Sequence, residues 1–195
     1  MTTNGFQRRA EQKKDQIIST AKTLFFSKGP ASTSIAELAK EAKVSQVSIY
    51  NYFGSKEALV ELVVTQYLNQ SFESVEAILE LESSFQDKLK QFFALGDGEG
   101  NEVNKNALKH FDWQSGALMK IYERFVQERQ IPFLLALVKQ GQHEGEVAVH
   151  LQPEAIVDFM NANMTIYKDP DFLKKGHQYM ESVGHLFFYG ILGKK

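Results

Sequence analysis

The chain is predicted to be all-α, with a small three-helix domain at the N-terminus followed by a larger helical domain. Three observations lead there. Apolar residues recur at helical spacing in segment after segment, with no β alternation, internal repeat or low-complexity tract. Residues 33–59, TSIAELAKEAKVSQVSIYNYFGSKEAL, contain two short helical stretches, each preceded by a capping serine and separated by a tight turn. Charge is also uneven: residues 1–56 carry nine Lys or Arg against four Asp or Glu, whereas residues 57–195 carry 13 against 20. A basic end attracts phosphate and an acidic remainder is kept off it. Without the motif beside it, the same charge would read as a solvated helix face.

With 195 residues, 43% of them hydrophobic and 24% charged, the chain is long enough to bury a sizeable core. The lack of cysteine excludes disulfides, thiolate metal sites and cysteine nucleophiles together. The longest apolar run, Leu186 to Leu192, falls short of a membrane span, and the start MTTNGFQRRAEQKK has no apolar signal core. A cytoplasmic protein with no membrane partner is expected.

In chain order, Ile17, Ala21, Leu24 and Phe25 mark an amphipathic helix from about Arg9 to Lys28, stopped by Gly29 and Pro30. Ser34 and Glu37 form a capping box for a helix over Ile35 to Ala42 that buries Ile35, Leu38, Ala39 and Ala42. Lys43 and Val44 make the turn. Ser45 caps a helix from Gln46 to about Phe53, which sends Ile49 and Phe53 inward and leaves Gln46, Ser48, Tyr50 and Asn51 outward. This is the plan of a helix-turn-helix, whose second helix enters the major groove of double-stranded DNA. Gly54 and Ser55 then start a long helix reaching about Leu81. A box at Ser83 and Gln86 opens another, and GDGEGNE over 96–102 reads as a loop. Helices follow over about Asn106 to Trp113, Ala117 to Arg129 and Phe133 to Gln142, with a break or kink at Pro132 and stops at Gly141 and Gly145. Pro153 starts a helix carrying Ile156, Val157, Met160 and Met164, and Asp169 with Pro170 starts the last, which is apolar over a broad arc. The total is roughly nine or ten helices.

Tyr50-Asn51-Tyr52-Phe53 followed by Ser55-Lys56-Glu57-Ala58-Leu59, with Ala42, Val44 and Ser45 upstream, resembles the DNA-binding motif of the tetracycline-repressor (TetR) family of transcriptional regulators. Two positions depart from that pattern: Lys43 stands where the family usually has Gly, and Gln46-Val47 where it commonly has a basic residue followed by Gly or Ala. If the turn needs a positive φ, Lys43 costs roughly 1 kcal/mol relative to Gly, and Lys43→Gly is expected to stabilise the domain. The resemblance implies a DNA-binding domain over 1–54 and an effector-binding and dimerisation domain over 55–195. It also implies phosphate contacts at the start of the helix carrying Lys56, in line with the affinity of helix N-termini for anions. Base contacts are expected from Gln46, Val47, Ser48 and Asn51, near the capping Ser45; Gln and Asn can pair with adenine, and Val can meet a thymine methyl. Phosphate contacts are expected from Thr33, Ser34, Tyr50, Tyr52 and Lys56, with packing the alternative for Tyr52.

The last two helices are too apolar for a monomer's surface and read as a homodimer interface, the alternative being burial within one chain. The resemblance, which in this half extends to length, helical pattern and the ending LFFYGILGK, implies the same dimer. Two-fold symmetry then implies a near-palindromic operator. A small-molecule effector, lipophilic or aromatic, would be held among the middle helices. Its candidate wall comprises Phe92, Phe93, Leu108, Phe111 and Trp113, then Met119, Tyr122, Phe125, Met160 and Met164, each of which reads equally as core. Catalysis, cofactors and metal have little support: His110, His143, His150, His177 and His185 form no short-range metal motif, and no serine sits in a nucleophile elbow. The expected function is a repressor released from its operator by the effector. The rivals are a regulator of this fold without an effector, an architectural DNA binder, and an enzyme or carrier that kept the head domain.

Overall fold

The computed structural model describes residues 5–96, 110–112, 116–167 and 175–192, and among them there is no strand. The order is α1 (Gly5–Lys28), α2 (Ile35–Glu41), α3 (Gln46–Phe53), α4 (Lys56–Glu76), a 3-10 turn (Ala77–Glu80) and α5 (Phe85–Gly96). Then come α6 (Gly116–Phe125), a π-helical turn (Val126–Gln130), α7 (Ile131–His143), α8 (Pro153–Tyr167) and α9 (His177–Leu192). By backbone proximity the chain divides into two compact units, one comprising Met1–Glu73 with Gly96–Phe125, the other Ser74–Leu95 with Val126–Lys195.

The first unit packs around α1. Ile17, Ala21 and Phe25 are fully buried and meet Leu38, Ala39 and Ala42 of α2, Ile49 of α3 and Leu59, Val63 and Val64 of α4. Ala39 is 4% exposed, in keeping with a small residue at the α2 crossing. Phe111, Leu118 and Ile121 complete this core, and the Phe26 ring lies 5.2 Å from Phe111 and 4.7 Å from Tyr67. In the second unit Phe85, Leu89, Leu134, Leu137, Val138 and Met160 are almost wholly buried.

Several boundaries differ from expectation. Helix α5 is capped one residue later: the Ser84 hydroxyl accepts from the Asp87 backbone N–H at 3.1 Å and donates to the Asp87 carboxylate at 2.8 Å. Ser83 Oγ is instead buried with no hydrogen-bond partner. The expected break falls just ahead of Pro132, where the α-helix ends at Phe125 and a new one starts at Ile131. The π turn adds a residue ahead of the proline, whose missing N–H and bulky ring would otherwise fall in an α-helical interior. Gly141 is not a stop but an interior residue of α7, since a Cβ there would lie 2.7 Å from Phe85 Cδ2 and 2.8 Å from Val147 Cγ2. The Glu146 carboxylate accepts from the Phe85 backbone N–H at 2.9 Å, at the part-buried start of α5. The last helix begins at His177, after Gly176 with φ +85°. The loop over 97–102, the expected helix start near Asn106 and the expected Asp169-Pro170 start lie outside the described residues, while 110–112 form a turn.

Candidate nucleic-acid interface

The segment around the α2–α3 turn is shaped largely by local hydrogen bonds. Ser34, in extended conformation, accepts from the Glu37 backbone N–H at 3.1 Å and caps α2. The Glu37 carboxylate turns to Lys28 of α1, whose Nζ lies 2.5 and 2.6 Å from its two oxygens. That bond, more than any other influence, holds the Glu37 carboxyl below its ordinary pKa; the Lys28 charge, the Ser34 backbone and the Lys40 charge act in the same direction, and desolvation opposes them.

Helix α2 ends in a Schellman turn. The Lys43 N–H donates to the Lys40 carbonyl at 3.2 Å and the Val44 N–H to the Ala39 carbonyl at 2.9 Å. This pair of bonds requires a left-handed residue between Ala42 and Val44. Lys43 supplies it with φ +53°, the one positive φ on a non-glycine residue among those described. The turn therefore does carry the expected penalty.

Ser45 caps α3 by accepting from the Ser48 N–H at 3.1 Å, and the two hydroxyls lie 2.8 Å apart. Ile49 is fully buried, whereas Gln46, Val47, Tyr50 and Asn51 are exposed, Val47 to 66% and Tyr50 to 49%; Ser48 is half-buried. Gly54, with φ +76°, ends the helix. Ser55 then accepts from the Ala58 N–H at 3.0 Å, and half-buried Lys56 opens α4. The structure thus brings Ser34, Ser45, Gln46, Val47, Ser48, Tyr50, Asn51 and Lys56 onto α3 and the adjoining helix starts. Thr33 is a correction: it is 1% exposed, and its hydroxyl donates to the Gly29 carbonyl at 2.9 Å, so the side chain is not offered to a phosphate. In sequence Thr33 is one more hydroxyl beside a capping serine; only the approach of the α1 end buries it. Tyr52 is half-buried against the core, its ring 6.2 Å from Phe53.

Of the ten residues singled out for an effector wall, those described fall in both units. Phe111, Met119, Tyr122 and Phe125 belong to the first unit, and Phe92, Phe93 and Met160 to the second. Phe111 is part of the core around α1, Phe125 lies edge-on to Phe72 at 5.2 Å and 6.4 Å from Tyr122, and Met119 is 43% exposed. In the second unit Phe92 contacts Phe93 at 5.4 Å and stacks on Phe133 at 5.5 Å, while Phe93 meets Phe187 at 5.3 Å. Leu108, Trp113 and the Met164 side chain lie outside the described residues. A polar cleft of about 640 Å³ runs between 79–84 and Gln140, Glu144 and Glu146, and none of the ten lines it. On α8 and α9, the helices read from the sequence as a homodimer interface, Phe159, Leu186 and Tyr189 are exposed although Phe187, adjacent to Leu186, is buried.

Among the described residues no three His, Cys, Asp or Glu side chains gather to hold a metal ion, and no helix is long and apolar enough to cross a membrane. A capped pair of short helices around a left-handed turn, with the polar face of the second helix outward, defines a helix-turn-helix protein of the DNA-binding class. Comparison with known proteins gives the family. Residues 17–63 match the model of the bacterial regulatory proteins of the tetR family. The HTH-type transcriptional regulator YuxN of Bacillus subtilis is 45% identical over 62 residues, 32% of this chain and 21% of that protein. A second relative from B. subtilis, the probable HTH-type transcriptional regulator YttP, is 23% identical over 167 residues, 83% of this chain and 80% of that protein. The chain therefore spans about a fifth of the first relative's length and four fifths of the second's. The crystal structure of FadR from B. subtilis in complex with stearoyl-CoA superposes with a TM-score of 0.54 at 21% identity, covering 91% of this chain and 99% of that one, which establishes the shared fold. The tetR-family match thus lies in residues 17–63, and the relatives that share this segment are HTH-type regulators of transcription.

Proposed function

We infer that this chain is a homodimeric, sequence-specific transcriptional repressor that binds a near-palindromic operator and leaves it when a small lipophilic or aromatic molecule is bound. The observation that carries the DNA half is α3 itself, with Ile49 fully buried on one side and Gln46, Val47, Tyr50 and Asn51 exposed on the other. Gln46 and Asn51 offer the donor and acceptor pair that matches adenine, Val47 a methyl-sized apolar contact, and Ser34, Ser45, Tyr50 and Lys56 phosphate contacts. Residues 1–54 act as the DNA-binding domain and 55–195 as the effector and dimerisation domain. No catalytic step and no cofactor belong to this reading, and its setting is the cytoplasm.

The dimer reading is supported by large apolar side chains exposed on the last two helices: Leu186 at 70%, Tyr189 at 55% and Phe159 at 42%. The effector reading draws on the family and on the apolar character of the second unit; FadR, with its stearoyl-CoA, is a precedent for a lipophilic ligand in this fold. An effector can release DNA only by the difference in its affinity for the two states. Selection of binding sites from random duplexes at one fixed salt concentration tests the proposal. Enrichment of an inverted repeat is expected, and that duplex then serves to screen for molecules that release it. Retention of DNA with no consensus would replace it with an architectural binder.

A further inference from the structure

Lys43 presents a physical puzzle. It occupies the left-handed position of the Schellman turn with φ +53°, where Gly, or Asn to a lesser degree, is the unstrained choice. Its side chain is exposed, and its ammonium makes no hydrogen bond or ion pair with any described residue. Nothing among the described residues offsets the penalty of placing a Cβ there. Strain of this kind persists where the residue serves something else. What lies next to it is the start of α3, with Ser45, Gln46 and Val47 exposed within four residues. A flexible cation on a four-carbon stem beside a helix start that faces DNA has an evident counterpart in the phosphate backbone.

We propose that Lys43 is a DNA-backbone contact of this chain, held at a strained turn because its charge binds a phosphate flanking the bases read by α3. The proposal rests on the DNA-binding reading above. It predicts a trade between stability and binding in one side chain: removing the lysine relaxes the turn and loses the contact.

The test uses the full chain and the duplex enriched from the random pool, titrated at several salt concentrations, with melting measured in parallel. Lys43→Gly is expected to melt higher, by about 2–4 °C. It is also expected to bind with a salt slope shallower by about 0.9, and with affinity lower by about 5- to 10-fold near ~0.1 M salt. Lys43→Asn, neutral but tolerant of this backbone, is expected to show the same loss, and Lys43→Arg to keep the wild-type slope. A Gly variant with unchanged slope and affinity would overturn the proposal, as would weakened binding accompanied by a lower melting temperature. Failure of the wild-type chain to bind any duplex would overturn the DNA reading and this contact together, and is visible before any variant is made.

Discussion

Helices α2 and α7 end in the same turn. Ala42 and Glu144 sit at equivalent positions with nearly the same backbone angles, φ −75° and ψ −3° for one, φ −79° and ψ −3° for the other. The Val44 N–H reaches the Ala39 carbonyl at 2.9 Å; the Glu146 N–H likewise reaches the Gly141 carbonyl at 2.9 Å. The left-handed residue between them differs. It is Lys43 at φ +53° in the first and Gly145 at φ +74° in the second. At the end of α7 the turn opens a longer connection to α8 and carries glycine; at the end of α2 it leads directly into α3, and a lysine takes the left-handed position. The same local geometry is thus met by different residues according to what adjoins it.

The comparison can be broken at several points. The largest effect is expected from Gly141→Ala, because the new methyl would meet Phe85 and Val147 at under 3 Å in a buried site; overpacking of this kind costs about 1–3 kcal/mol, read as a lower denaturant midpoint with unchanged slope. Ser45→Ala removes the cap that accepts from Ser48 and is expected to cost about 1 kcal/mol by the same measurement. Exchanging the two left-handed residues is the sharpest comparison. Gly145→Lys meets no atom within 4 Å at its Cβ, so backbone strain alone destabilises it by about 1 kcal/mol. Lys43→Gly gains a similar amount, and a melting temperature at or below wild type would show that strain at this turn is negligible.

The smallest effect concerns acid. Glu37 has its pKa lowered from an ordinary value of 4.5, first by the Lys28 hydrogen bond. A depressed carboxyl contributes stability that is present above its unfolded pKa and is lost as pH falls through the lower folded value. Both side chains are more than a third exposed, so the contribution is small. The stability gap between wild type and Glu37→Gln is expected to be measurable near neutrality and to close as acid protonates the Glu37 carboxyl in the folded chain; a gap that persists in strong acid would point to packing instead.

Much of the head was legible in the chain because short helices announce themselves through local chemistry: a serine that can cap, an alanine where helices cross, a lysine or glycine where the backbone turns back. Ser34, Ser45 and Ser55 each cap the helix that follows. Thr33 escaped this logic, since its burial comes from the end of α1 and not from its neighbours in sequence. The body was less legible. Ser83 and Ser84 are adjacent and equally able to cap, and only the surroundings of α5 left one buried and made the other the cap.

The sequence by itself determined the all-helical class, the helix-turn-helix and the outward set on α3, because these follow from period, caps and turns within a few residues of one another. Tertiary structure alone decided which apolar residues are core and which are surface. Leu186 and Phe187 are neighbours of similar hydrophobicity, yet one is 70% exposed and the other 2%. A helical period places side chains around an axis; which arc is covered depends on distant segments that pack against it, and those contacts are not written in the spacing.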